Sequence, residues 1–206
     1  MTESGLFIKG FIIGFSIAAP VGPIGILCIQ RTLARGNVQG LVTGLGAATA
    51  DAIYGFIAAF GLTFISNFLV AQSLWFRLIG GLFLCYLGIK AFLSKPQNQI
   101  LSETNRNTLS SYSTTFFLTL TNPMTILFFA GVFAGLGMVS ESIQYASAGL
   151  MVIGVFIGSG TWWLILSGAT GILRNKMNES KLTWVNKISG FIILAFGVGA
   201  VLSTVF

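Results

Sequence analysis

Charge is what this chain has least of. Among its 206 residues there are 11 Lys and Arg and 5 Asp and Glu, so only 8% of the residues are charged. Hydrophobic residues make up 54% of the chain, and the mean hydropathy is +0.88. A soluble domain of this size needs more charge on its surface than this. The composition therefore predicts an integral membrane protein.

Metal-ligating and redox side chains are also scarce. The sequence has no His, and its two cysteines, Cys28 and Cys85, lie in apolar runs. A divalent metal exporter would have a poor set of ligands, although this remains an alternative function. A transmembrane thiol–disulfide conduit needs a cysteine in each half, but the residue 103 positions after Cys28 is Gly131. That second alternative is weak for this reason. We predict no enzyme activity, no cofactor and no metal site.

Long apolar runs predict an all-α protein with six transmembrane helices. A membrane-spanning β-barrel would instead show apolar and polar residues in alternation. The first apolar run, Leu6 to Ile29, is too long for a cleavable signal and is followed by five more. The predicted helices cover roughly residues 6–30, 38–65, 68–93, 111–138, 144–171 and 184–205.

The positions of the basic residues predict the orientation. Lys and Arg concentrate in the first, third and fifth connections, which contain Arg31 and Arg35, then Lys95 and Arg106, then Arg174, Lys176 and Lys181. These connections should be cytoplasmic, with both termini on the outer side of a bacterial-type cytoplasmic membrane. Membrane topology also explains the net charge of +6, so we predict no nucleic-acid partner.

The two halves of the chain share a proline position. Pro20 in the first helix and Pro123 in the fourth are 103 residues apart, which is half the chain. Three helices in each half would force the second half to insert upside down, as in the inverted repeats of many secondary transporters. We therefore predict one transporter domain over 1–206, with halves at 1–93 and 111–206 and a cytoplasmic linker at 94–110.

Prolines predict that the first and fourth helices are broken or kinked. Pro20 and Pro23 flank Gly22 in the first helix, and Asn122 precedes Pro123 in the fourth. Such a break is tolerated in a membrane where it is buried in protein or lines a watery cavity. N–H groups after the break would suit a carboxylate, and carbonyls before it would suit a cation or ammonium group. An ordinary packing kink is the alternative.

Asp51 is the only acidic residue inside a long apolar stretch; the other four acids fall in polar connections. It lies about 20 Å into its helix, near the middle of the bilayer. A buried carboxylate is costly there and usually faces a cavity, a partner or a transported ion. It could bind the ammonium group of a small zwitterion, carry a coupling proton, or only make a structural hydrogen bond.

Small residues share the helical face of Asp51, which would allow close helix packing or leave room for a ligand. They are Gly44, Ala47, Ala48 and Gly55. Tyr54 lies one turn further on and could hydrogen-bond the same ligand. Of Trp162 and Trp163, deep in the fifth helix, one could line a cavity. Gly154 and Gly158 are predicted to serve helix packing.

Four stretches of the chain match a known family pattern: Ala18-Ala-Pro-Val-Gly-Pro23, the stretch from Ala34 to Asp51, the stretch from Leu78 to Lys90, and Thr121-Asn-Pro123 with Ile126-Leu-Phe-Phe129. They give the chain a resemblance to the LysE/RhtB family of amino-acid exporters over nearly its whole length. The resemblance implies six helices and proton-driven efflux of amino acids or related metabolites. It also implies a transport site built from motifs that contain Pro20, Gly22, Pro23, Gly44, Gly46, Asp51, Asn122 and Pro123.

One position departs from the family pattern: Met124 stands where many relatives have Lys after the Asn-Pro pair. Any role of that lysine is missing here, and the substrate could differ. The predicted partners are thus a small-molecule substrate, a proton and the lipid bilayer. Small-residue faces would permit a homodimer.

Overall fold

Seven α-helices and no strand make up the part of the chain that the computed structural model describes. That part consists of residues 3–20, 22–59, 68, 71–94, 108–122, 125–126, 128–129, 145–174 and 178–204. The helices are α1 (Glu3–Ala18), α2 (Pro23–Arg35), α3 (Asn37–Ala59), α4 (Ser73–Phe92), α5 (Thr108–Leu120), α6 (Tyr145–Arg174) and α7 (Glu179–Leu202). The predicted all-α class is therefore observed throughout the described residues.

Four of these helices are long and apolar enough to cross a membrane: Asn37–Ile57, Leu74–Phe92, Ala148–Arg174 and Glu179–Leu202. A fifth span results if α1 and α2, whose axes differ by 78°, are counted as one broken span. The remaining predicted span, 111–138, is described only in part: its first part lies in α5, and residues 123, 124, 127 and 130–138 lie outside the described residues.

The backbone between α1 and α2 follows from its prolines. α1 ends at Ala18, and Pro23 is the first residue of α2. Proline suits this position because its missing N–H would have no partner there anyway. Gly22 is the extended N-cap residue of α2, and its carbonyl accepts a hydrogen bond from the Ile26 N–H at 3.0 Å. Pro23 thus starts a helix rather than interrupting one.

The first connection is shorter than the sequence predicted. Helix α2 continues to Arg35, and Gly36 alone separates it from α3. Gly36 has φ of +96°, a region that favours glycine, and its N–H donates to the Thr32 carbonyl at 2.8 Å. Arg31 is therefore a helical residue and not part of a loop. Groups on other helices accept hydrogen bonds from its guanidinium group.

Glycines set the closest helix contacts. On α1, Gly10 and Gly14 face the backbone of α6, while Gly154 and Gly158 of α6 face that of α1. A Cβ atom on Gly158 would lie 2.1 Å from the Phe11 carbonyl oxygen. The predicted packing role of the Gly154/Gly158 pair is confirmed. Helices α4 and α7 pack in the same way through Gly81, Gly88, Gly190 and Gly197.

Helix α3 occupies the centre of the described bundle. It packs against α6 on one side and α5 on another, while α2 lies against α3, α6 and α7. One core cluster joins these helices through Leu27, Cys28, Ala47, Ala48 and Trp163. Asp51 is placed inside the protein because α3 is enclosed by its neighbours.

Replacing Gly158 by Ala should destabilise the protein by about 1–3 kcal/mol, because the new methyl group would meet the α1 backbone. The matched control is Gly160→Ala on the same helix, where a Cβ atom would meet nothing within 4 Å. Thermal unfolding of the purified protein in detergent measures both. Equal melting temperatures for the two variants would contradict the close α1–α6 contact.

Candidate functional site

A short chain of hydrogen bonds holds the Asp51 carboxylate inside the protein. Asp51 is only 3% exposed, and its Oδ2 accepts a hydrogen bond of 2.7 Å from the Ser159 hydroxyl. The Ser159 oxygen in turn accepts a hydrogen bond of 3.1 Å from Trp163 Nε1. Ser159 and Trp163 are one turn apart on α6. Helix α6 thus orients the carboxylate of α3.

Small side chains on α3 make this contact possible. A Cβ atom on Gly44 would lie 2.3 Å from the Cβ of Trp163, so only glycine allows the indole to sit against α3 at that level. Further along α3, Gly55 faces Val155 of α6. The small face predicted around Asp51 therefore serves close packing of α3 on α6.

The carboxylate also faces a small cavity that is lined by five helices and by the connection between α1 and α2. Its volume of about 60 Å³ is enough to hold water. The lining residues come from the end of α1, the start of α2, the middle of α3, the end of α5 with the residues after it, and the middle of α6. They are Ile17, Ala18, Pro20, Gly22, Pro23, Ile24, Gly25, Ala47, Asp51, Thr119, Asn122, Thr125 and Trp163.

Opposite polar features meet in this cavity. Ile24 and Gly25 lie in the first turn of α2, where backbone N–H groups lack intrahelical acceptors and the helix dipole is positive. Asp51 provides the only described carboxylate in the lining, with polar groups from Thr119, Asn122 and Thr125. This arrangement suits a small molecule that has a carboxylate and an ammonium group.

The structure brings five of the predicted site residues together around the cavity. They are Pro20, Gly22, Pro23, Asp51 and Asn122. That these residues bind a substrate remains a prediction. Pro123 lies outside the described residues.

Three other predicted site residues lie beside the cavity lining. Gly44 packs against Trp163, and a Cβ atom on Gly46 would lie 2.4 Å from the Tyr112 carbonyl oxygen of α5. The Tyr54 hydroxyl donates to the Leu120 carbonyl at 2.5 Å, and its ring stacks on Phe129. In this structure these residues position helices around the cavity.

Sequence patterns pointed to only part of the lining. Trp163 lines the cavity, as predicted for one residue of the Trp162–Trp163 pair. Thr119 and Thr125 of the lining were missed because serine and threonine are common in membrane helices. Ser159, which bonds Asp51 but does not line the cavity, was missed for the same reason. The available signal for Ser159 was its position one turn before Trp163, on the same face of α6.

The described residues contain no arrangement that matches either alternative function, divalent metal export or transmembrane thiol–disulfide exchange. These contain no group of three or more His, Cys, Asp or Glu residues that could hold a metal ion. Cys28 is buried and donates its S–H to the Gly40 carbonyl at 3.4 Å, while Cys85 is half-buried on α4. Both are free thiols.

Several known proteins are similar to this chain. The Bacillus subtilis protein YcgF, which is named provisionally as an amino acid efflux protein, is 29% identical to this chain over 93% of each of the two chains. An uncharacterized membrane protein of Synechocystis sp. is 25% identical over 91% of this chain and 92% of its own. The threonine efflux protein of Escherichia coli is 20% identical over 88% of this chain and 90% of its own.

No solved structure matches the chain significantly. A family model does: the model described as LysE type translocator matches residues 15–204, nearly the whole sequence. This match agrees with the apolar helices and with the relatives named as efflux or membrane proteins. The chain therefore belongs to the LysE-type translocator family.

Proposed function

We propose that this protein is a secondary active exporter of amino acids or related small metabolites across the cytoplasmic membrane, and not an enzyme. The observation that supports this most is the buried Asp51 carboxylate, which faces a cavity next to the start of α2. Family membership supports translocation, and the names of two relatives support amino acids as the solute class.

The solute would bind by its two charged groups. Its carboxylate would accept hydrogen bonds from the N–H groups at the start of α2, and its ammonium group would pair with Asp51. Asn122, Thr119 and Thr125 would bind the remaining polar atoms. Ser159 would keep the Asp51 oxygen aimed at the cavity rather than at a neighbouring helix.

Asp51 would also couple export to the proton gradient. When the solute leaves, the buried carboxylate has lost its cationic partner, and a proton that enters from outside would neutralise it. The next solute would then displace that proton toward the cytoplasm. One carboxylate that binds either a proton or an ammonium group makes proton–solute antiport possible.

The arrangement of helices supports an inverted repeat of three spans in each half. In such a repeat the broken span α1–α2 corresponds to the span that begins at α5. Helix α3 corresponds to α6, and α4 corresponds to α7. The contact of α1 with α6 then corresponds to that of α5 with α3, while the pairs α3–α6 and α4–α7 map onto themselves. All these pairs are in contact within the described residues.

Alternating access would follow from this repeat. We propose six spans, with both termini outward, that form one transporter domain of two halves, 1–93 and 111–206, connected by a cytoplasmic linker at 94–110. The cavity is small in this structure, so the halves would rock to open it to one side of the membrane at a time.

Efflux from cells tests the function without choosing a substrate. Cells that express the protein should release one or a few amino acids faster than cells with an empty vector, as profiled by mass spectrometry of the medium. If the two profiles are indistinguishable at confirmed membrane expression, the amino-acid proposal is wrong, and other metabolites would be tested next.

Asp51→Asn should abolish gradient-driven export, because an amide can neither take up the proton nor pair with the ammonium group. The variant should still reach the membrane at the level of the wild type. Glu179→Gln at the start of α7 removes the same charge from an exposed position and should export normally. Full activity of Asp51→Asn would contradict the mechanism.

Ser159→Ala should lower the export rate and destabilise the protein by about 1–3 kcal/mol, because it removes the hydrogen bond to a buried carboxylate. Ser167→Ala is the matched control, a buried serine on the same helix that donates to the Leu164 carbonyl. Initial efflux rates and detergent melting temperatures should differ between the two variants. Equal values would show that Ser159 does not position Asp51.

A further inference from the structure

A positive charge lies among the helices on one side of the cavity. Arg31 of α2 is half-buried, and its Nη1 donates three hydrogen bonds to neighbouring helices. The acceptors are Thr43 Oγ1 of α3 at 3.2 Å, the Ser111 carbonyl at 3.0 Å and Thr115 Oγ1 at 3.1 Å, the last two on α5. Helices α2, α3 and α5 meet at this side chain.

All three acceptors are neutral, so the guanidinium charge has no counter-ion among them. The acidic side chains that the structure describes are Asp51, which accepts from Ser159, and the exposed Glu179 at the start of α7. Neither forms an ion pair with Arg31. Charged residues within membrane helices usually pair or mark the path of a substrate or ion.

One edge of the guanidinium makes no hydrogen bond to the described residues. All of the hydrogen bonds that Arg31 makes to those residues come from Nη1, and none comes from Nε or Nη2. Within the described residues no fully buried side-chain nitrogen or oxygen lacks a partner, so Nε and Nη2 are not completely buried. These two atoms form the side-on fork that binds a carboxylate with two parallel hydrogen bonds.

The arginine lies next to the cavity but not in its lining. On α5, Thr115 contacts Arg31 and Thr119 lines the cavity, one helical turn or about 6 Å further on. On α3, the contact residue Thr43 is two turns, or about 12 Å, from Asp51. The α-carboxylate and α-ammonium groups of an amino acid share one carbon atom, so these two groups alone do not span a separation of that size.

We propose that Arg31 forms a second binding site, at which the carboxylate of the amino acid is held before it enters, or after it leaves, the cavity at Asp51. This rests on the proposed function as an amino-acid exporter. Thr43 and Thr115 position the guanidinium through Nη1 and leave its other edge for the solute. Polar side chains of α3 and α5 then connect this site to the cavity.

A purely structural role is the competing explanation. Arg31 would then only join α2 to α3 and α5, in the same way as the side-chain hydrogen bond that Gln39 donates to Ser111. A structural joint has no preference for carboxylates. Loss of the joint would slow the export of every solute alike, whereas loss of a carboxylate site would raise KM for carboxylate-bearing solutes only.

Proteoliposomes distinguish the two roles. They are loaded either with the twenty protein amino acids or with the corresponding amino acid amides, which keep the ammonium group and lose the carboxylate. KM and maximal rate of release are measured for the wild type, Arg31→Gln, Arg31→Lys and Lys90→Gln. Lys90 on α4 is an exposed cation whose ammonium group lies over the Tyr86 ring, so it controls for the lost charge.

The wild type should release at least one amino acid with a KM about tenfold or more below that of its amide, because hydrogen bonds between charged groups are strong. Arg31→Gln should reduce this preference by raising KM for the amino acid, and the remainder should come from the N–H groups at the start of α2, while Lys90→Gln should preserve the full preference. Arg31→Lys should be intermediate, since a lysine keeps the charge but lacks the fork.

Two results would overturn this second site. If Arg31→Gln keeps the wild-type ratio of the two KM values, or lowers the maximal rate for acid and amide equally, Arg31 is a structural joint and the exporter proposal stands. If Arg31→Gln does not insert, the ratio measured with Arg31→Lys decides in the same way. If the wild type releases no amino acid, the proposed function fails first and the Arg31 site fails with it.

Discussion

The whole site depends on one costly placement, a carboxylate in the middle of a membrane-spanning helix. Water would stabilise that group better than hydrocarbon by several kcal/mol or more, so the protein must supply polar partners. Ser159 and Trp163 of α6 provide them, and α6 can approach because α3 has glycine at position 44. Close packing and chemistry at Asp51 are therefore parts of a single arrangement.

The irregular backbone lies where the polar groups are needed. Helix α1 ends, α2 begins and α5 ends around one cavity, and backbone without regular helical bonds is tolerated in a membrane only at such a place. Elsewhere glycine faces bring α1 onto α6 and α4 onto α7, backbone against backbone. The described bundle thus combines closely packed helix pairs with a polar centre where α1 and α5 end and α2 begins.

The sequence predicted the class of protein and the centre of the site. Apolar runs predicted the helices, and the isolated position of Asp51 among them identified the residue around which the cavity forms. Contacts between distant parts of the chain were not predictable from local patterns. Ser159 is 108 residues from Asp51, and a serine in an apolar helix gives no sign of its partner.

Hydropathy was also a poor guide to Arg31. Its charge suggested a cytoplasmic connection, but Thr43, Ser111 and Thr115 satisfy one nitrogen of its guanidinium within the bundle, so α2 continues past it. A hydropathy pattern cannot represent this compensation, because the acceptors come from two other helices.

The central claim is that Asp51 exchanges a proton for the ammonium group of the solute. The most direct measurement is proton release from purified protein in weakly buffered detergent solution, when an amino acid identified by the efflux profile is added. The wild type should release a proton for each molecule bound over the pH range in which Asp51 is protonated, and Asp51→Asn should release none. Equal release from both proteins, or binding by the wild type without proton release at any pH, would contradict the account.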